Sequence, residues 1–140
     1  MATFGYAHAF VATLLFGKAS TEAMEDLMRT LFSVRNDPVM AAGMVFAIAV
    51  LAPLCEEFFF RGAIFSSVRS TQSARAAAIV SSFLFAIAHG NWMMFTYYLV
   101  FGLTMCWLLA KTQTIATPIA AHMTVNATAA IAMLMSNTPQ

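Results

Sequence analysis

AAGMVFAIAVLAPLCEEFFFRGAIF, residues 41–65, is an apolar run interrupted by two adjacent acids, Glu56 and Glu57, and one base, Arg61. A helix crosses a hydrocarbon core of about 30 Å with about 20 residues, and this run is longer. A charge at mid-bilayer costs about 2.5–3.5 kcal/mol on insertion scales. Three of them in one run require compensation or a function. Helical geometry supplies part of the compensation. Glu57 and Arg61 stand four apart with the glutamate first, so they share a face and can pair. Glu56 is turned by about 100° from Glu57 and cannot use the same arginine at the same time. One glutamate is therefore expected to be structural and the other free for chemistry.

The rest of the chain has the same apolar character. Hydrophobic residues make up 61% of it and charged residues 9%, against about 25% charged in a soluble domain. Mean hydropathy is +0.77. The length of 140 residues suits a single membrane-embedded domain, 1–140. A net charge of +1 leaves no basic surface for nucleic acid and no acidic tail. The partner this composition implies is the lipid bilayer.

Five stretches approach the length of a span: residues 2–17, 38–68, 76–89, 92–110 and 115–135. The expected fold is all-α, a polytopic transmembrane helical bundle with four or five spans. Residues 1–10 hold no Lys or Arg ahead of their apolar run, so a cleaved signal peptide is not expected. Polar connections separate the stretches at residues 18–37, 69–75, 90–91 and 111–114. Arg69, Arg75 and Lys111 place two of these connections on the cytoplasmic side. The basic residues of the 18–37 segment fall on the opposite side if all five stretches span, which conflicts with that rule.

Histidines and prolines extend the polar theme. His89 ends one apolar run, and His122 and Asn126 lie four apart in another. A carboxylate, two imidazoles and an amide in a low-dielectric site suit the activation of water or the binding of a divalent metal. Pro53 and Pro118 precede Glu56 and His122 by three and four residues, and a mid-helix proline frees a carbonyl and kinks the helix. Blander readings exist for each residue alone. A lone membrane histidine often bonds one helix to the next, and Arg61 can snorkel. Cys55 and Cys106 are expected to pack, Met to fill space, and Phe58, Phe59 and Phe60 to meet lipid or core. Ser66, Ser67, Ser81 and Ser82 show no spacing to a histidine that marks a nucleophile. His8 reads as structural or interfacial.

Taken together, the residues resemble a known family. Glu56-Glu57-Phe58-Phe59-Phe60-Arg61 looks like its EExxxR motif, Phe85-Ala86-Ile87-Ala88-His89 like FxxxH, and His122-Met123-Thr124-Val125-Asn126 like HxxxN. The family is the CAAX protease and bacteriocin-processing family (CPBP, or Abi) of intramembrane endopeptidases, whose eukaryotic members remove the C-terminal tripeptide of prenylated proteins. The resemblance covers about residues 38–130, the motif-bearing core; most members are longer and carry more N-terminal spans. It implies that Glu56 activates water with help from His89. It also implies that His122 and Asn126 bind the oxyanion and that Glu57 and Arg61 hold the site. Such proteins are described both as metalloproteases and as glutamate proteases. If Zn2+ is bound, the resemblance makes Glu56, His89 and His122 its ligands. The function implied is an endopeptidase acting near the C-terminus of a membrane-associated or lipidated substrate, in the cytoplasmic membrane of a prokaryote. A bacteriocin self-immunity factor or scaffold is the alternative within the family, and a proton or ion pathway the alternative outside it.

Overall fold

The computed structural model describes residues 37–135. The apolar stretch at residues 2–17 and the polar segment before 37 lie outside the described residues, so the span count of four or five stands as an expectation. Among the described residues the chain is helical throughout, with no strand. Helix α1 runs from Pro38–Thr71 (34 residues). Helix α2 is Ala74–Ala88. A short 3-10 turn, Trp92–Met94, leads into α3, Phe95–Thr112. Helix α4 is Ala116–Met135. Two of these, α1 and the Trp92–Thr112 segment, are long and apolar enough to cross a membrane.

Local chemistry sets the boundaries. The Asp37 carboxylate accepts from the backbone N–H groups of Val39 and Met40 at 2.9 and 3.1 Å, and Pro38 opens α1 where its missing N–H costs nothing. Ser73 caps α2 by accepting from the Ala76 N–H. Gly90 turns the chain with φ +63°, a region that glycine enters without a Cβ clash. Gln113 ends α3 in the left-handed region, its N–H bonded to the Leu109 carbonyl.

Helix α1 is not uniform. Its α-helical stretches Pro38–Phe46, Ala52–Glu57 and Ser66–Thr71 are joined by two wider π-helical stretches, Ala47–Leu51 and Phe58–Phe65. A π turn bonds residue i to i+5 and is common at functional sites. In the first, the Ala52 N–H reaches Ala47. The next bond in that series would run from residue 53 to Ile48, and Pro53 has no N–H to make it. The freed Ile48 carbonyl instead accepts from Asn126 of α4 at 2.9 Å. In the second, Ser81 and Ser66 donate their hydroxyls to the carbonyls of Phe60 and Arg61, at 2.7 and 3.1 Å. Side chains thus bond to main-chain carbonyls in both wide stretches.

Pro118 does not behave as expected. It is the third residue of α4, not a mid-helix kink. The N–H that proline lacks is one of the four left unbonded at any helix start.

The lateral surface of the bundle is apolar, Asp37, Arg69, Arg75 and Lys111 are exposed at or near helix ends, and a second set of charges lies inside. Phe46, Leu51, Phe58, Phe59, Ile79, Phe83, Val100 and Trp107 are exposed, as lipid-facing residues would be. Glu57, Arg61, Ser81, Ser82 and His122 are buried. Helices α2 and α3 pack closely at Gly102, where an added Cβ would lie 2.9 Å from the Ser82 Cβ and 3.0 Å from its Cα. Small residues permit such approaches in membranes, where packing and hydrogen bonds take over from hydrophobic driving force.

Candidate active site

Three helices bring the polar residues together. Helix α1 supplies Glu56, Glu57 and Arg61, the end of α2 supplies His89, and α4 supplies His122 and Asn126. As the helical geometry requires, the two glutamates look in different directions. Glu57 is fully buried and accepts from Arg61 Nη1 at 3.1 Å. The same Glu57 oxygen lies 2.8 Å from His122 Nδ1. Arg61 is also fully buried; its Nη2 donates to the Gly102 carbonyl of α3 at 3.0 Å, and its guanidinium carbon sits 4.7 Å above the Phe85 ring. One carbonyl, one carboxylate and one aromatic face thus offset the desolvation of this cation. Glu57 Oε2 and Arg61 Nε have no hydrogen-bond partner.

Glu56 faces a cavity of about 270 Å³, lined also by Ile48, Ala52, Phe85, His89, Tyr97, Tyr98, Phe101, His122 and Asn126. Its Oε2 lies 3.7 Å from His122 Nε2 and 3.9 Å from His89 Nε2, and has no direct hydrogen bond. The far side of each imidazole is occupied. His89 Nδ1 sits 2.8 Å from the Phe85 carbonyl, which can only accept. His122 Nδ1 sits against the Glu57 carboxylate. Both contacts place the ring proton on Nδ1 in the neutral imidazole and leave the Nε2 lone pair aimed at the cavity. Three acceptors therefore converge on one point. Such a point suits a donor of two hydrogens, and water is one.

Zinc is a less good match to this spacing. The donor types are right, and each imidazole has the Nδ1 acceptor that metal-bound histidines usually have. Bonds of about 2.0–2.1 Å in a tetrahedron put ligand atoms about 3.4 Å apart, closer than the 3.7 and 3.9 Å seen here. Glu56, His89 and His122 are the residues that would hold such an ion, each donor atom moving in by a few tenths of an ångström.

Asn126 lines the cavity while one of its amide hydrogens is committed to Ile48. An amide has two such hydrogens, so one stays available. The serines and cysteines lie elsewhere. Ser81 and Ser82 are buried away from the cavity, Cys106 is buried against Ser82, and Cys55 is exposed on the outer face. Sequence reasoning missed Tyr97, Tyr98 and Phe101 of α3, which form the aromatic wall opposite Glu56. Their only sequence signal is an aromatic cluster at the start of an uncharged span.

Within the described residues the structure is a helical integral membrane protein with an acid–imidazole site beneath an apolar surface. Comparison with known proteins carries this class to a family. The family model for type II CAAX prenyl endopeptidase Rce1-like proteins matches residues 38–128. The chain belongs to that family of membrane proteases. It is 31% identical over 83 residues to the Bacillus subtilis (strain 168) protein named "Putative membrane peptidase YdiL", covering 59% of this chain and 34% of the relative. It is 29% identical over 98 residues to the Staphylococcus aureus (strain USA300) protein named "Membrane-embedded CAAX protease MroQ", covering 66% of this chain and 40% of the relative. The chain thus spans well under half the length of these curated relatives. No solved structure matches it significantly.

Proposed function

We propose that the chain acts as an intramembrane endopeptidase in which Glu56 activates water to hydrolyse a peptide bond near the C-terminus of a membrane-associated or lipidated substrate. The observation that supports this most is the convergence of Glu56 Oε2 and two Nε2 atoms on one side of a cavity. A water held there donates one hydrogen to Glu56 and the other to an imidazole. As its oxygen attacks the substrate carbonyl carbon, the proton passes to the Glu56 carboxylate, with His89 Nε2 as the adjacent acceptor. The free amide hydrogen of Asn126 donates to the oxyanion that forms. The proton taken up by Glu56 can pass to His122 Nε2, 3.7 Å from its Oε2, which then donates to the oxyanion while the Glu57 carboxylate at Nδ1 stabilises the imidazolium. When the C–N bond breaks, the proton returns to the leaving amine. In this reading Glu56 itself is the base, the glutamate form of the chemistry.

The substrate class rests on the family and on the printed name of the staphylococcal relative, which calls that protein a CAAX protease. The location proposed is the cytoplasmic membrane of a prokaryote, as both relatives are bacterial.

The test is cleavage of a panel of membrane-associated peptides by purified protein in detergent, wild type against Glu56→Gln, with and without a chelator. Cleavage that survives the chelator and vanishes in the variant is the expected result. Chelator-sensitive cleavage overturns the glutamate assignment. No cleavage by the wild type across the panel overturns the protease reading and turns attention to a scaffold or immunity role.

A further inference from the structure

His89 stands at a weak point of the fold. It is the C-cap residue of α2, just before the left-handed Gly90, so its backbone has helix on one side only. Its side chain is 23% exposed to the cavity. A proton acceptor there needs an external support to keep Nε2 on target. One support is the Phe85 carbonyl at Nδ1, which fixes a point on the ring and leaves rotation about that point open.

The second support comes from another helix. The Tyr98 ring, in the first turn of α3, stacks on the His89 imidazole with centroids 3.9 Å apart and planes at 27°. Phe85 approaches the same imidazole at 4.4 Å and 49°. Near-parallel rings in such close contact restrict one another's rotation, because turning either out of plane drives its edge into the other's face. The plane of the ring, and with it the direction of the Nε2 lone pair, is thereby set by α3. The Tyr98 hydroxyl has no protein partner among the described residues, so the face of the ring and not its oxygen makes the contact.

From this geometry we infer that Tyr98 is a positioning residue for the proposed hydrolysis, holding His89 Nε2 toward Glu56 by ring stacking across the α2–α3 junction. This rests on the protease reading above. A misplaced catalytic group costs rate and not substrate affinity, and a displacement of about 1 Å can cost about a hundredfold. Tyr98→Phe keeps the face and should keep kcat. Tyr98→Leu removes the face and should lower kcat about 10- to 100-fold with KM unchanged.

A readout independent of cleavage comes from the three histidines of the chain. Histidine ring Hε1 signals of the detergent-solubilised protein, assigned through His8 and His122 variants, report the stack directly. The His89 signal should move in Tyr98→Leu, as the ring current is lost, and stay in place in Tyr98→Phe. An unmoved His89 signal or wild-type kcat in Tyr98→Leu overturns the proposal. So does a Tyr98→Phe enzyme as impaired as Tyr98→Leu, which would put the hydroxyl in the reaction. A loss confined to KM would make Tyr98 a substrate wall instead. If the wild type cleaves nothing while the His89 signal moves as expected, the protease reading fails and the stack stands.

Discussion

Replacing Asn126 with alanine removes the donor to the Ile48 carbonyl and the free amide hydrogen that faces the cavity, and the two losses can be separated. The Ile48 carbonyl is open because Pro53 has no N–H for the five-residue bond. An interhelical hydrogen bond in a membrane averages about 0.6 kcal/mol and reaches about 1.7. An orphaned buried carbonyl costs about 1–3 kcal/mol. The site is half-buried, so a loss of about 1–2 kcal/mol is expected for Asn126→Ala, a drop in Tm on the order of 5 °C. Pro53→Ala restores an N–H that can reach Ile48. In the Asn126→Ala background it should therefore recover most of the lost stability. It should not recover cleavage, because the donor to the oxyanion is still missing. The assay is thermal unfolding of the four proteins of the cycle in one detergent, with peptide cleavage measured on each. Strictly additive Tm changes would refute the claim that Asn126 and Pro53 serve the same carbonyl. Recovered cleavage in the double variant would refute the oxyanion role.

Other expectations follow from the same geometry. Arg61→Leu removes one of the two partners of the buried Glu57 carboxylate and should cost about 3–5 kcal/mol, read by unfolding in detergent. Arg61→Lys keeps the charge but not the planar fork and should fall between. Gly102→Ala forces a Cβ to 2.9 Å from Ser82. It should destabilise by about 1–3 kcal/mol, and Ser82→Ala should not relieve it, since the clash is with Cβ and Cα. Cys55→Ser should leave stability and cleavage unchanged, because Cys55 is exposed and lines no part of the cavity.

Much of this site was legible in the residues alone. Charges are so rare in the apolar runs that Glu56, Glu57, Arg61, His89 and His122 could be collected by inspection. The four-residue step from Glu57 to Arg61 correctly paired them, and the angle to Glu56 correctly separated the two acids. That argument could not say which partner His122 would take, since a sequence carries no distances between helices. Pro118 was misread as a mid-helix residue although the stretch read as 115–135 already put it in the first turn, where a missing N–H is tolerated. The π turns were illegible: 3.6-residue periodicity has no term for an extra residue absorbed in one turn. Gly102 and Tyr98 were missed for a common reason. Each acts through a neighbour on α2, and an uncharged span shows no sign of the helix it will touch.

The wide turn at Ala47–Leu51 also bears on how the chain tolerates changes of length. A π turn holds one residue more than an α turn over the same arc. Deleting one residue there can return the helix to ordinary register with both flanks in place, so Glu56 keeps its aim. The same deletion inside Ala52–Glu57 has no slack to absorb it and swings one flank by about 100° against the other. Two deletions a few residues apart, identical in composition lost, should then give one protein with its carboxylate still facing the histidines and one with it facing lipid.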